Sequence, residues 1–362
     1  MNETTTNPAR RRVLSGMRPT GKLHLGNYMG ALKNWVALQN ELLEDGTLKY
    51  ECYFFIADFH ALTTDYADTS GLAKNVREVM LDFLAAGLDP KVSTIFRQKQ
   101  VPAHFVLNDL LAMITPLSWL ERVPSYKDQQ EQLKEKDLAT FGFLGYPLLQ
   151  SADILVYQAD FVPVGQDQAA HVEITREIAR RFNHFYSPKA EKHVGPPEEY
   201  KGKYLRQILP EPQVLLTPSP KLPGTDGRKM SKSYNNTILL SDPEPEIRAK
   251  LKTMVTDPAR IRRTDPGNPD VCPVFDLHKV FSTEEKQAEA RVGCTTAGIG
   301  CIQCKGWLAD AVVKELAPIQ ERRRHFEANP DEVKAILEDG AVRANARAAV
   351  TMQQVFAAVG LE

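Results

Sequence analysis

Residues 15–32 read SGMRPTGKLHLGNYMGAL, and this stretch decides the fold. The apolar run VLSG predicts a short buried strand ending at Leu14. A turn containing Gly and Pro follows, and a helix is expected to open between Leu25 and Asn27. A helix N-terminus directs free N–H groups and a positive dipole end at whatever lies above it, which suits phosphate. Gly26 allows close approach to the backbone, His24 and Asn27 offer side-chain donors, and Thr20 adds a hydroxyl. Taken alone, the same residues also suit a plain turn before a helix with His24 on the surface.

Outward from this turn, CYFFIADFH, STIFRQ, ILVYQADFVPVG and QVLLTP read as further buried strands. Amphipathic stretches lie between them. NYMGALKNWVALQNELLEDG places Leu32, Trp35, Val36 and Leu42 on one helical face. SGLAKNVREVMLDFLAAGLDP does the same with Leu72, Val76, Val79, Met80 and Phe83, then stops at Gly and Pro. The alternation predicts the α/β class: a Rossmann-like, doubly wound parallel sheet with helices on both faces. Strand signals fade after Asn236, and from SDPEPEIRAKLKTMV onward the chain reads as helices. The expected division is a disordered tail at 1–11, an α/β domain at 12–240 and a helical domain at 241–362. The charge-rich QQEQLKEKD, residues 129–137, reads as a solvated helix or mobile loop.

The chain has 362 residues, more than one core usually spans, which agrees with two domains. With 45 basic and 46 acidic side chains, no global basic field announces a nucleic acid, so an RNA partner would have to be met by a local patch. No apolar run approaches the ~20 residues of a membrane span, and MNETTTNPARRR lacks a signal-peptide core. A cytoplasmic protein that does not meet the membrane is expected. Four of the five cysteines fall between Cys272 and Cys304, a cluster that in a reducing compartment suggests metal or cluster ligation before disulfides.

About two hundred residues after HLGN stands a second unusual stretch, GTDGRKMSKSYNN, residues 224–236. The pairing of HLGN with KMSKS in one α/β domain resembles the two signatures of class I aminoacyl-tRNA synthetases. That resemblance implies a mobile loop closing over ATP, with Lys229 and Lys232 neutralising charge on the leaving pyrophosphate. It also implies His24, Thr20 and Asn27 as catalytic partners in the first signature. ATP contacts are implied for Arg18, Pro19, Thr20, Gly26, Asn27, Gly165, Gln166, Asp167, Leu222, Lys229, Met230, Ser231, Lys232 and Ser233.

The matching stretches extend to ADFHALT, VPAH, GYPLLQSADILVYQADFVPVGQDQAAHVEITREIARRFN and LAPIQERRRHF. Together they resemble the bacterial tryptophanyl-tRNA synthetase family from about Val13 to the end. Its GNY form accounts for Asn27 where the general motif has a second histidine. The resemblance implies that Asp153 accepts an indole N–H and that Tyr146 and Gln150 hold the α-amino end. The Y-x3-Q-x2-D spacing puts all three on one helix face. Gln150 stands where many bacterial members carry Met. Gln168, His60, Gln98, Leu14 and Gly16 complete the implied tryptophan pocket. The sister family of tyrosyl-tRNA synthetases shares the fold and the Y-x3-Q-x2-D pattern but places a tyrosine at the position of Leu14. The implied reaction is activation of L-tryptophan by ATP with Mg²⁺ on the phosphates, then transfer to tRNA(Trp), by a homodimer. The rivals from other classes are a nucleotidyltransferase and an inactive RNA-binding paralogue.

Cys272, Cys294, Cys301 and Cys304 form C-x21-C-x6-C-x2-C. Four thiolates suit tetrahedral zinc or an iron–sulfur cubane, and free thiols remain the third reading. A subset of the same family carries a similar pattern and binds a [4Fe–4S] cluster, which favours the cluster, with Zn²⁺ as the alternative. Cys52 sits in a strand pattern and reads as a buried apolar residue. Arg260, Arg262 and Arg263, and Arg322 to Arg324, form basic clusters that could meet phosphate or serve as ordinary ion-pair partners.

Overall fold

The computed structural model describes residues 10–123, 137–165, 168–187, 207–216 and 221–362. Five parallel strands form one sheet in the order β3-β2-β1-β4-β5: β1 (Arg11–Met17), β2 (Tyr50–Ile56), β3 (Thr94–Arg97), β4 (Phe161–Val164) and β5 (Gln213–Leu216). The expected class is therefore found. Strand β1 runs three residues past its expected end at Leu14. Arg11, assigned to the tail, already opens β1, while residues 1–9 lie outside the described set.

Alternation along β1 sends Val13 into one core and Leu14 into the other, on opposite faces of the sheet. The first face is covered by the helical stretch Leu25–Asn27, Tyr28–Leu32 and Lys33–Gln39, a π-type turn joining α1 to α2, and by α4 (Leu72–Ala86). Trp35 stacks on Phe54 at 4.9 Å, locking α2 to β2. Leu42 lies beyond the end of α2 and is 57% exposed, so the expected apolar face stops at Val36. Helix α4 buries Val76, Val79, Met80 and Phe83 as expected and ends at Gly87, whose φ of 110° suits glycine.

The second face is covered by α3 (Asp58–Asp65), α5 (Ala103–Ala112), α6 (Leu117–Glu121), α7 (Phe141–Leu144), α8 (Tyr146–Leu155) and α9 (Ala169–Tyr186). The run ILVYQADFVPVG is only in part a strand. Ile154 and Leu155 close α8 and β4 begins at Phe161, because a short apolar run fits a buried helix end as well as a strand.

After residue 240 come α10 (Glu244–Thr253), α11 (Pro273–Phe281), α12 (Glu284–Thr295), α13 (Cys301–Ala328) and α14 (Pro330–Val359). This region is helical, as expected. Leu308, Val312 and Leu316 of α13 share a core with Val76 and Val79 of α4. Helix α14 packs on β3 so closely that a Cβ at Gly340 would fall 1.8 Å from the carbonyl oxygen of Ile95. Much of QQEQLKEKD lies outside the described residues.

Candidate active site

The register of β1 with β4 is short, pairing Val13 with Phe161. Beyond it the Ser15 hydroxyl donates to the Pro163 carbonyl at 3.3 Å. The sheet order reverses between these two strands, and a crevice opens there at their C-terminal ends. It holds a cavity of about 340 Å³. Leu14, Gly16, Arg18, His60, Tyr146, Gln150, Asp153 and Gln168 line it, with Phe55, Ile154, Val162 and Val164 as apolar wall. Gly16 is needed beside that wall, since a Cβ there would meet the Phe55 ring at 2.5 Å. The i, i+4, i+7 face of α8 thus delivers Tyr146, Gln150 and Asp153 to one cavity. Ser151 of α8 and Thr175 of α9 pair at 2.9 Å and fix the two helices in register.

Asp153 is 1% exposed, yet it remains a carboxylate. Burial pushes its pKa up, but the imidazoles of His104 and His60 more than offset this and hold it below the ordinary value. Oδ1 accepts from Gln98 Nε2 at 2.7 Å and from His104 Nδ1 at 2.6 Å, and Oδ2 accepts from His60 Nε2 at 2.9 Å. In the neutral imidazole this leaves His104 Nε2 to accept the Tyr157 O–H at 2.8 Å. Gln98 is fully buried and its oxygen accepts the Phe59 N–H, so it braces Asp153 from behind rather than lining the cavity. A carboxylate offers about four acceptor positions, and three are filled by protein donors.

The two signature segments are zipped together. Leu25 N–H donates to Ile238 O and Leu240 N–H to Leu23 O, both at 2.9 Å, around an antiparallel bridge of His24 with Leu239. The His24 N–H is capped by Asn27 Oδ1 at 3.1 Å. The His24 ring lies over Gly26, where a Cβ would come within 2.9 Å of it. Burial and the charges of Lys232 and Lys229 depress the His24 pKa to about 4, so the ring is neutral at pH 7. Among the described residues its buried Nδ1 has no hydrogen-bond partner.

On the other segment, Lys232 Nζ donates to the carbonyls of Thr20 at 2.9 Å and Gly21 at 3.0 Å, and to Thr20 Oγ1 at 3.2 Å. Burial lowers its pKa to about 8. Lys229 and Ser233 are exposed, Ser231 is half-buried, and Leu222 and Met230 are buried as Met230 N–H bonds Leu222 O at 2.9 Å. Asn236, 1% exposed, organises the loop: its oxygen accepts Ser231 N–H at 2.8 Å and its amide donates to Asp226 at 2.7 Å. Arg18 lines the cavity and its guanidinium bonds Thr64 and lies 3.6 Å from Asp65, while Pro19 is buried and Thr20 exposed. Gly165 is half-buried at the end of β4 and accepts the Gln168 N–H at 3.0 Å; Gln166 and Asp167 lie outside the described residues.

His104, Tyr157 and Asn236 were not singled out from the sequence as site residues. VPAH was the available signal for His104. Tyr157 sits four residues after Asp153, just past the end of α8, and Asn236 ends the loop that begins with Gly224.

The four cysteines gather where α11, α12 and α13 meet, and none is in a disulfide. Burial, with the neighbouring charges of Cys272, Cys294 and Cys301, pushes the Cys304 thiol up to about 12. His278 Nε2 lies 3.3 Å from Cys304 Sγ. The gathering stops short of a ligand set: among the described residues no group of three or more His, Cys, Asp or Glu side chains could hold a metal ion. Cys52 is buried in β2 with its thiol pushed up to about 12, as a packing residue should be. The basic clusters are partly spoken for. Arg260 donates to Ile299 O at 2.6 Å, Arg322 to Ala85 O at 2.7 Å, and Arg323 is buried against Glu78, Asp82 and Glu327. Arg262, Arg263 and Arg324 are exposed.

A parallel sheet with its crevice at the switch point, and two lysine- and histidine-bearing segments zipped beside it, define an enzyme that handles a nucleotide. The family model of class I tRNA synthetases for tryptophan and tyrosine matches residues 6–317, and the chain belongs to that family. Within it the chain sits with the tryptophan–tRNA ligases. It is 46% identical over 401 residues to that of Ralstonia nicotianae, covering 97% of this chain and 98% of the relative. It is 48% identical over 351 residues to that of Thermotoga maritima, covering 97% and 99%. The tryptophanyl-tRNA synthetase of Campylobacter jejuni, solved with ADP and tryptophan, aligns with a TM-score of 0.81 and 32% identity over 97% of this chain and 100% of that one. No helix among the described residues is long and apolar enough to cross a membrane.

Proposed function

We propose that the chain activates L-tryptophan with ATP and passes it to tRNA(Trp). The observation that carries this reading is the crevice itself. It presents Asp153 with one acceptor position left among apolar walls, and Arg18 on its rim leads within two residues to Thr20, the partner of Lys232. A single N–H donor such as indole fits that remaining position, and Leu14 supplies no hydroxyl for a phenol. Tyr146, Gln150 and Gln168 face the amino-acid end.

The substrate carboxylate, with an ordinary pKa of about 3.5, is already a nucleophile at pH 7 and needs no general base. It attacks the α-phosphorus, the bond to the bridging oxygen breaks, and pyrophosphate leaves with the electron pair. Neutral His24 can donate one hydrogen bond to phosphate from a buried ring. Lys232 would exchange the carbonyls of Thr20 and Gly21 for phosphate oxygens, and Lys229 is exposed on the same loop. Mg²⁺ on the phosphates would supply further charge neutralisation. A ribose hydroxyl at the tRNA 3′ end then attacks the acyl carbon of the adenylate, losing its proton as the ester forms, and AMP leaves with the electron pair of the broken acyl–oxygen bond. Charging of tRNA(Trp) with labelled tryptophan tests the whole reaction; charging with tyrosine alone would refute it.

We assign residues 12–240 to activation and 241–362 to the tRNA, with the chain acting as a homodimer. Sedimentation at the mass of one chain would exclude that dimer. A cytoplasmic location follows from this work on tRNA. From their spacing along the chain we propose the four thiols as ligands for a [4Fe–4S] cluster, with Zn²⁺ as the alternative; in the structure they lie near one another without forming a ligand set. Anaerobically purified protein should then absorb broadly near ~400 nm, and a colourless, metal-free preparation would exclude both.

A further inference from the structure

Helix α13 grips the signature segments from behind. Gln320 Nε2 donates to the carbonyls of Leu240 at 3.1 Å and Asp242 at 2.8 Å, at the exit of the lysine-bearing loop. One turn on, the Arg323 guanidinium bonds Asp82 Oδ1, and the other oxygen of Asp82 accepts the Leu23 N–H at 2.7 Å. Leu23 and Leu240 are themselves paired backbone to backbone at 2.9 Å. Two side chains of one helix thus hold both strands of the small bridge from which His24 on one side and Lys229 and Lys232 on the other extend. Arg323 is 3% exposed and Asp82 fully buried, and a buried ion pair by itself adds little net stability. What this pair adds is position: it anchors the backbone immediately before His24.

We propose that Arg323 and Gln320 are positioning residues for amino-acid activation, through which α13 sets the spacing between the His24 turn and the Lys229–Lys232 loop. The inference rests on the activation chemistry proposed above. Neither residue touches the cavity that would hold tryptophan, so their loss should act on kcat and leave the tryptophan KM alone.

The test is tryptophan-dependent ATP–pyrophosphate exchange by the full chain for wild type, Gln320→Met, Arg323→Met and Arg323→Lys. Gln320→Met should lower kcat by about tenfold and Arg323→Met by up to about a hundredfold, since misplacement of roughly 1 Å can cost that much. The tryptophan KM should stay within about twofold, and Arg323→Lys should recover part of the loss. Arg323→Met strands a buried carboxylate and could fail to fold, in which case Gln320→Met, which strands no charge, decides. Folded variants with wild-type kcat, or with kcat and tryptophan KM degraded together, overturn the inference. A wild type that exchanges with no amino acid overturns the functional reading, a distinct result.

Discussion

Replacing His104 with Phe would separate the carboxylate's support from the carboxylate itself. The ring space is already aromatic, with Phe55, Phe96 and Tyr157 within 6.0 Å of the His104 centroid, so a phenyl ring should pack. Two hydrogen bonds go: the 2.6 Å bond to Asp153 and the 2.8 Å bond with Tyr157. A bond to a charged acceptor is worth about 1.5–3 kcal/mol. If that stabilisation is lost from the form that binds tryptophan, KM rises by roughly 10- to 150-fold, at tenfold per about 1.4 kcal/mol. The sign of the pH effect follows from the carboxyl. His104 helps hold its pKa below the ordinary value, so the binding-competent carboxylate is lost only as pH falls through that depressed pKa. In the variant the pKa rises, and tryptophan binding should fail at higher pH than in wild type. Tyr157, left without its partner, should lower Tm by a few degrees. The assay is tryptophan KM in pyrophosphate exchange across pH, with calorimetry to confirm folding. A folded His104→Phe protein with KM within about twofold of wild type at every pH would refute the reasoning.

Burial lowers the Lys232 pKa to about 8 in the free chain, so kcat/KM for ATP in exchange should fall as pH rises through about 8, and Lys232→Arg should move that limb upward without removing activity at pH 7. Asn236→Ala removes the acceptor of the Ser231 N–H and two donors, and should reduce kcat several-fold with an unchanged tryptophan KM; an equal rise in KM would count against its role in the loop. Gly340→Ala forces a methyl to 1.8 Å from the Ile95 carbonyl, and denaturant melts should show a loss of at least about 1–3 kcal/mol, whereas unchanged stability would mean α14 does not seat on β3 this tightly.

Much of the fold was legible because its signals are local. The strand, turn and helix around SGMRPTGKLHLGN, and the αL stop at Gly87, each follow from residues a few positions apart. The Y-x3-Q-x2-D face was legible for the same reason, and Asp153 does reach the cavity. What lay beyond the sequence depends on distant partners. No spacing links His104 to Asp153, 49 positions apart on another helix. Arg323 reads as one of three arginines open to phosphate, and only packing shows it turned inward onto Asp82, 241 positions away. Leu42 was assigned to a buried face because periodicity does not say where a helix ends, and ILVY was assigned to a strand because apolar content does not distinguish a strand from a buried helix end. The four-cysteine spacing is a pattern along the chain, and gathering the thiols near one another is a weaker condition than arranging them as ligands.

The central claim is that Asp153 reads an indole in an ATP-dependent activating site. It is tested most directly by tRNA-independent ATP–pyrophosphate exchange with tryptophan and tyrosine side by side, for wild type and Asp153→Ala. The account predicts exchange with tryptophan alone, lost in the variant. Exchange with tyrosine, or tryptophan exchange that survives without the Asp153 carboxylate, would contradict it.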